Sequence, residues 1–429
     1  MTLRYAFYGD DFTGSTDVLE QLAEGGVKAA LYLREPTAEL RGRFPGVEAI
    51  GIAGDSRSRS PDWMDENLPS AFAALQGAGI VHYKTCSTFD SSPQTGSIGR
   101  ALDIGLDLFG SPAVIVVGAP YMGRYVAFGN LFARAGDEVV YRIDRHPTMS
   151  RHPVTPMREA DLVRHLADQT ERRIERISLD RIKSGAAAAT FDDVGPKADA
   201  VLFDCVDLDD LEKTGELLLD RNVRFAVGSS GLTRALVLAW RKRGLVTEDI
   251  AMGAADEVER LLVVSGSCSP VTAIQIARSA ELGFQTEMVD VTALLRGEMS
   301  EERRLTDRAL GALQSGHSFV MHSAEGPLDQ SQSPAGERLG EALGRIARTV
   351  IRRAGLRRIL FAGGDTSSHG VAQLGVDALT WAAPIEPGAP LVRSHAEDPS
   401  VDGLEMVLKG GQIGGDDFFD RVRRGTPPG

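Results

Sequence analysis

The 429-residue chain is long for a single hydrophobic core, so two domains are expected. Its apolar and charged fractions, 42% and 25%, are those of a globular protein, and its formal net charge of −13 argues against non-specific binding to nucleic acid or an anionic membrane. An anionic substrate stays open, because a local cluster of Arg and Lys can reverse the field in a cleft. No apolar run approaches the roughly 20 residues that span a bilayer, and the short N-terminal run meets Asp10 and Asp11 at once, unlike a signal peptide. Cys86, Cys205 and Cys268 are few and far apart, without zinc spacing. These features lead us to expect a cytoplasmic enzyme or binding protein.

Apolar strand-like runs alternate with helical patterns, which predicts an α/β fold with mostly parallel sheets flanked by helices. The first strand, Leu3–Tyr8, runs into Gly9-Asp-Asp-Phe-Thr-Gly-Ser-Thr-Asp17, and a helical pattern begins at Ser15 with Val18, Leu19 and Leu22 in phase. Asp, Thr and Ser are ordinary turn and capping residues. Three carboxylates (Asp10, Asp11, Asp17) and three hydroxyls (Thr13, Ser15, Thr16) around Gly9 and Gly14 exceed what one cap requires. The carboxyl end of a strand in an open α/β sheet is where ligands bind. Such carboxylates can accept substrate hydroxyls, act as a base or hold a cation.

Further strands are expected at Ala29–Leu33, Ala49–Ala53, Ile80–Lys84, Ala113–Val117, Ala200–Asp204 and Phe225–Val227. Polar loops follow three of them: Asp55-Ser-Arg-Ser-Arg59, Lys84-Thr-Cys-Ser-Thr-Phe-Asp-Ser-Ser92 and Gly228-Ser-Ser-Gly231. Arg57 and Lys84 can pair with a substrate carboxylate, and Asp10, Asp11, Asp55 and Asp90 can accept from hydroxyls, a combination suited to a small polyhydroxy acid. Arg59 reads as a surface residue. Residues 141–156 carry Arg142, Arg145, His146, Arg151, His152 and three prolines, and read as a substrate loop, an interface arm compatible with a homodimer, or a solvated excursion. His146 and His152 have no standard metal spacing, so no metal ligand is assigned. His322 and His369 read as structural, and Cys86 and Cys268 as small packing residues.

The polar stretch 241–259 marks a boundary, with domains at 1–245 and 258–429. Strands beyond it are expected near Leu261–Val264, Thr286–Val289, Phe319–His322, Ile359–Ala362 and Met406–Leu408, and Leu339, Leu343, Ile346 and Val350 form a helical stripe. Three Gly/Ser/Thr turns follow strands here: Ser265-Gly-Ser-Cys-Ser-Pro-Val-Thr272, Phe361-Ala-Gly-Gly-Asp-Thr-Ser-Ser368 and Lys409-Gly-Gly-Gln-Ile-Gly-Gly415. Backbone N–H groups in such turns bind phosphate, and three in one domain suggest a nucleotide. None is a Walker A loop or a clean dinucleotide fingerprint.

In order along the whole chain, these motifs resemble the four-carbon acid sugar kinase family. The Asp-Asp-Phe-Thr-Gly-x-x-Asp opening is matched by Asp10 to Asp17, Lys-x-Cys-Ser-Thr-Phe-Asp-Ser by Lys84 to Ser91, His-Pro-x-Thr-Pro-Met by His152 to Met157, and Gly-Ser-Cys-Ser by Gly266 to Ser269. The resemblance implies a sugar-acid domain over 1–245, a nucleotide domain over 258–429 and an active site in the cleft between them. It also implies ATP- and Mg²⁺-dependent phosphorylation of a terminal hydroxyl on a short sugar acid of the 3-oxo-tetronate, 3-oxo-isoapionate, threonate or erythronate type. The opening motif and the 141–156 region look closer to a subgroup resembling 3-oxo-isoapionate kinases. By that resemblance Asp11 or Asp10 is the base, Asp11 being preferred on motif position. Thr13, Gly14, Asp17, Asp55, Arg57, Lys84, Thr88 and Asp90 would surround the acid. Ser265, Ser267, Gly363, Gly364, Asp365, Thr366 and Gly410 would surround ATP. Asp365 stands where the family has Glu, and Lys-Gly-Gly-Gln-Ile-Gly departs from the family's late loop. Two other classes fit the same architecture: a nucleotide-dependent oxidoreductase, weakened by an acidic first turn, and a non-catalytic sugar-acid binding protein, weakened by the excess of phosphate-type loops.

Overall fold

In the computed structural model, which describes residues 3–136, 138–152, 154–246, 253–324 and 333–427, the chain divides into two compact units. One comprises Met1–Ala29 and Arg34–Ile250, the other Ala30–Leu33 and Ala251–Gly429. The 241–259 stretch read as a boundary lies partly outside the described residues.

In the first unit, β1 (Tyr5–Gly9), β3 (Ala49–Ala53), β4 (Ile80–Lys84), β5 (Ala113–Val116), β9 (Ile174–Ile177), β10 (Ala200–Phe203) and β11 (Phe225–Gly228) form a parallel sheet in the order β3-β1-β4-β11-β5-β10-β9. The inner strands are buried along their whole length, as Ala-Val-Ile-Val and Ala-Val-Leu-Phe runs covered by helices should be. Register aligns Gly9 with Ala53 and Lys84, and Gly228 with Lys84 and Val116. The polar turns that follow these residues therefore start from one row. The chain leaves β1 for β3 on one side and returns to β4 on the other, so the strand order reverses between β1 and β4. A separate antiparallel sheet is built from β6 (Arg124–Ala127), β7 (Asn130–Arg134) and β8 (Val140–Arg142).

In the second unit, β12 (Leu262–Ser265), β13 (Gln285–Met288), β14 (Phe319–His322), β15 (Arg358–Ala362) and β18 (Glu405–Lys409) run parallel in the order β13-β14-β12-β15-β18. The sheet continues through β17 (Leu391–Ala396) and β16 (Val376–Ala383), both in antiparallel pairings. β2 (Ala29–Tyr32) pairs antiparallel with β16, which is why Ala30–Leu33 belongs to this unit and not, as sequence position suggests, to the first. Order reverses between β12 and β15, and register sets Ser265, Ala362 and Lys409 in one row. The predicted stripe lies on the helix Ser333–Ala354, where Leu343, Ile346 and Val350 are buried.

All twelve expected strands are present within a residue or two of their predicted ends. The six not anticipated are β6 to β9, β16 and β17. They lie at sheet edges or in antiparallel pairings, where one solvated face admits Arg, Glu, Asp and Ser and breaks the apolar run.

Arg358, at the start of β15, is fully buried. Its guanidinium bonds Glu405 (2.6 and 2.9 Å) and the carbonyls of Val422 (2.7 Å) and Asp256 (2.8 Å), joining three segments of the second unit. Removing one partner of a buried pair strands the other. Arg358→Ala is therefore expected to destabilise the second unit by about 3–5 kcal/mol in denaturant unfolding.

Candidate active site

The acidic turn is fixed by its backbone first. Asp10 N–H donates to Lys84 O (2.9 Å), Arg57 N–H to Asp10 O (3.1 Å) and Thr85 N–H to Gly228 O (2.7 Å), tying the turns after β1, β3, β4 and β11 together. Asp11 is the N-cap of the helix Phe12–Glu24: its Oδ1 accepts from Gly14 N–H (2.5 Å) and Thr13 Oγ1 (3.3 Å). A Cβ on Gly14 would lie 2.7 Å from both Asp11 Oδ1 and Lys84 Nζ, so only glycine lets these two groups close on the turn.

Arg57 is the hub. Nη1 bonds Asp11 Oδ2 (2.7 Å), and Nη2 bonds both oxygens of Asp90 (2.9 and 3.0 Å). Asp90 is buried and accepts also from Thr88 Oγ1 (2.5 Å) and Thr155 Oγ1 (2.8 Å). Thr155 N–H is held by His152 Nδ1 (3.1 Å). The His-Pro-x-Thr-Pro-Met motif thus ends in this network, which makes its first His a turn acceptor. His146 Nδ1 likewise accepts from the Thr148 and Met149 N–H groups, both at 3.2 Å. Burial pushes Asp90 and Asp11 up, but Arg57 and, for Asp90, His152 and the two threonines outweigh it, as do Arg57, Lys84 and Gly14 N–H for Asp11. Both carboxyls are held below the usual range.

Asp10 has the opposite balance. It is buried, its Oδ1 has no hydrogen-bond partner among the described residues, and burial with repulsion from Asp11 raises its pKa to about 7 against the pull of Arg57 and Lys84. Lys84, buried at the end of β4, donates from Nζ to Thr85 O (2.9 Å) beside Asp11. Asp17, one helical turn on, is also buried with Oδ1 unpartnered among the described residues, and burial raises its pKa. Tyr121 Oη donates to Ser230 Oγ (2.8 Å), while Ser229 is a helix cap accepting from Gly231 N–H (3.0 Å).

Two expectations change here. Asp55 does not join the network: it pairs with Arg59, whose guanidinium covers the Trp63 ring at 5.5 Å, so neither is a bare surface group or a free substrate ligand. Arg57 already holds two carboxylates of the protein through Nη1 and Nη2, which leaves only Nε–H and one Nη1–H for a substrate.

In the second unit the three glycine turns meet. Gly266 N–H donates to Ala362 O (3.0 Å) and Gly363 N–H to Lys409 O (2.9 Å). A Cβ on Gly266 would lie 1.9 Å from Thr366 Oγ1, and one on Gly411 2.9 Å from Ser267 Oγ. Gly363 has φ +114°, a conformation open to glycine. Thr272 Oγ1 lies 3.0 Å from both Ser267 Oγ and Gly411 O, and receives Lys409 Nζ (3.0 Å). Gln275 Nε2 faces the carbonyls of Ile413, Gly414 and Gly415 at 2.9–3.0 Å. Ser265 Oγ is buried without a partner among the described residues, and burial lowers Lys409 to about 7. Helices begin at Pro270 and Gly364 behind two of the turns. Gly364 and Asp365 open the second of these; the Asp365 side chain lies outside the described residues. Gly410 borders open space except for Ile413. Helix N-termini, close backbone and a buried lysine are groups that can receive a polyphosphate.

Sequence reasoning missed Thr155, Thr272, Gln275 and Lys409. Lys409 carried a legible signal, the same as Lys84: a lysine ending an otherwise apolar buried strand.

The family model for a sugar-binding N-terminal domain matches residues 5–236, and that for a nucleotide-binding C-terminal domain matches residues 262–419. The chain is 46% identical to the 3-oxo-isoapionate kinase of Paraburkholderia graminis, covering 100% of this chain and 95% of that protein. It is 32% identical to the 3-oxo-tetronate kinase of Methylobacterium radiotolerans, covering 98% and 99% respectively. A crystal structure from Salmonella typhimurium superposes with a TM-score of 0.79 at 28% identity over 99% of both chains. The chain belongs to the four-carbon acid sugar kinase family, a class of ATP-dependent phosphotransferases.

Two outcomes follow from the charge balance. Asp10 has a raised folded pKa, so its stabilising contribution is complete below its unfolded pKa near 4 and is lost as pH rises through about 7. Asp10→Asn should thus raise stability at pH 8, by on the order of 2 kcal/mol, and change it little at pH 4, as read by unfolding at both pH values. Lys409→Met is expected to weaken ATP binding roughly 10- to 100-fold in calorimetry, since a charge-assisted phosphate contact is lost.

Proposed function

We propose that this protein is an ATP-dependent kinase of a short sugar acid, with 3-oxo-isoapionate the first acid to test and 3-oxo-tetronates, threonates and erythronates next. The observation that carries this reading is the pairing of two differently built crevices at strand-order reversals: a carboxylate-rich one in the first unit and a glycine, hydroxyl and lysine one in the second. The 46% identity to a 3-oxo-isoapionate kinase over the full chain supports the choice of acid.

Phosphoryl transfer depends on in-line positioning and charge neutralisation more than on covalent chemistry. The terminal hydroxyl oxygen of the acid attacks the γ-phosphorus, the bond to the β-phosphate oxygen breaks, ADP leaves, and the hydroxyl proton passes to Asp10. Asp10 suits that role better than Asp11. Its Oδ1 is unpartnered among the described residues and its pKa lies near the working pH, whereas Asp11 is committed to the helix cap and Arg57. Asp11, Arg57 and Asp90 hold the acidic turn, with Thr88 and Thr155 closing it from the β4 loop and residues 152–157. Thr13, Gly14, Asp17 and Lys84 line the same turn. In the second unit Ser265, Ser267, Gly363, Gly364, Thr366, Lys409 and Gly410 would receive the nucleotide, with Asp365 in the same turn. The donors there are hydroxyl, ammonium and backbone N–H, which fit phosphate; Mg²⁺ would enter with the nucleotide and neutralise the β- and γ-phosphates. Residues 5–236 would bind the acid and 262–419 ATP. Catabolism of such acids in the cytoplasm is the setting this reading implies; among the described residues no helix is long and apolar enough to cross a membrane.

The test is ADP release with ATP and Mg²⁺ against the acid panel and a no-acid control. ADP formed with one acid only establishes the reading, while acid binding with no turnover of any member would sink it in favour of a binding protein. Asp10→Asn should lower kcat at least 1,000-fold with ATP binding retained, and native kcat/KM should rise with pH through about 7 as the base deprotonates. Near-native turnover in that variant would reject Asp10 as the base.

A further inference from the structure

Arg124 opens β6 in the small antiparallel sheet of the first unit, directly after the turn Pro120–Met122 and Gly123, whose φ of +68° redirects the chain. One side of its guanidinium is anchored: Nη1 faces the carbonyls of Met122 (3.1 Å), Gly123 (3.2 Å) and Arg134 (3.2 Å). The other side is unspent. Nε is buried with no hydrogen-bond partner, and Nη2 makes no hydrogen bond among the described residues.

Nor does a carboxylate among the described residues balance its charge. The ionisable neighbours that act on it are the Cys86 thiol and the Tyr125 phenol, and burial, the larger influence, lowers its pKa from the ordinary value. A half-buried cation without a counter-anion is costly, and an arriving carboxylate would remove that cost. Cys86 also locates the group. The same thiol acts on Arg57 and receives Thr88 Oγ1 at 3.0 Å, so Arg124 stands beside the loop after β4 that holds Asp90. Arg57 already carries two carboxylates of the protein, Asp11 and Asp90, whereas Arg124 carries none.

Resting on the sugar-acid reading above, we propose that the Nε–Nη2 edge of Arg124 is the fork that receives the carboxylate of the substrate, and that Arg124 makes the site select acids over neutral sugars. Two parallel N–H donors in a plane match a carboxylate as a lysine ammonium does not.

The experiment compares native protein, Arg124→Met and Arg124→Lys by calorimetry with the acid panel, and by kcat/KM with the preferred acid and its uncharged carboxamide. Melting temperature serves as the control for folding. We expect Arg124→Met to weaken acid binding roughly 100-fold, the lysine variant to recover part of that, and the native preference for acid over carboxamide to collapse toward one. Unchanged acid affinity in Arg124→Met, equal losses for acid and carboxamide, or no binding of any acid by native protein would each overturn the assignment. Native binding without turnover would instead reject the kinase reading, and the Arg124 variants would still decide the carboxylate site by calorimetry. If Arg124→Met melts early, the lysine variant carries the comparison, because it keeps the charge and stem and loses only the fork.

Discussion

Reversal of strand order in a parallel sheet is the constraint on which both sites depend. Where one connection leaves to the left and the next to the right, the two loops part at the carboxyl ends and no crossover fills the gap. In the first unit this happens between β1 and β4, in the second between β12 and β15. The carboxyl-end row Gly9, Ala53, Lys84 and Gly228, and the row Ser265, Ala362 and Lys409, then launch their turns from one level. Helix N-termini follow these turns, so the geometry supplies oriented N–H groups before any side chain is chosen.

On that common frame the two units diverge by charge. The first crowds Asp10, Asp11 and Asp90 around Arg57 and Lys84, and hydrogen bonding sorts otherwise identical carboxylates. Those that Arg57 grips are held ionised; the one with an oxygen left without a partner among the described residues is pushed toward neutrality, which is what suits it to the proposed role of base. The second unit has little acid in its described turns. It packs glycine against hydroxyl so tightly that a single Cβ at Gly266 would collide with Thr366. One device recurs in both: a lysine ends a buried strand, Lys84 on β4 and Lys409 on β18, and burial holds each ammonium close to backbone carbonyl oxygens.

The acid turn is also held by a chain of contacts within the protein. Thr88, Thr155 and His152 act on Asp90, Asp90 acts on Arg57, and Arg57 fixes Asp11. A buried ionic network of this kind is stable only when each member is satisfied. Asp10, Asp17 and Arg124 lie outside that chain of contacts, each with a buried polar atom left unpartnered among the described residues.

The strands of both parallel sheets other than β9, the acidic turn, the three glycine turns and the family itself are legible in the sequence, because apolar runs, turn chemistry and motif spacing are local properties. The edge and antiparallel strands are not, since one solvated face interrupts their pattern. Nor could the sequence show which charge meets which. Asp55 goes to Arg59, four residues away, while Arg57 goes to Asp11 and Asp90, and Thr155 reaches Asp90 across 65 positions. The transfer of Ala30–Leu33 to the second unit was equally hidden. Such pairings follow from strand order and register, which periodicity does not encode. The sequence by itself determined which chemical groups this protein would bring to its turns. Tertiary structure alone decided which were neutralised by one another and which stayed free to act, because partnership in a folded chain is set by distance in space.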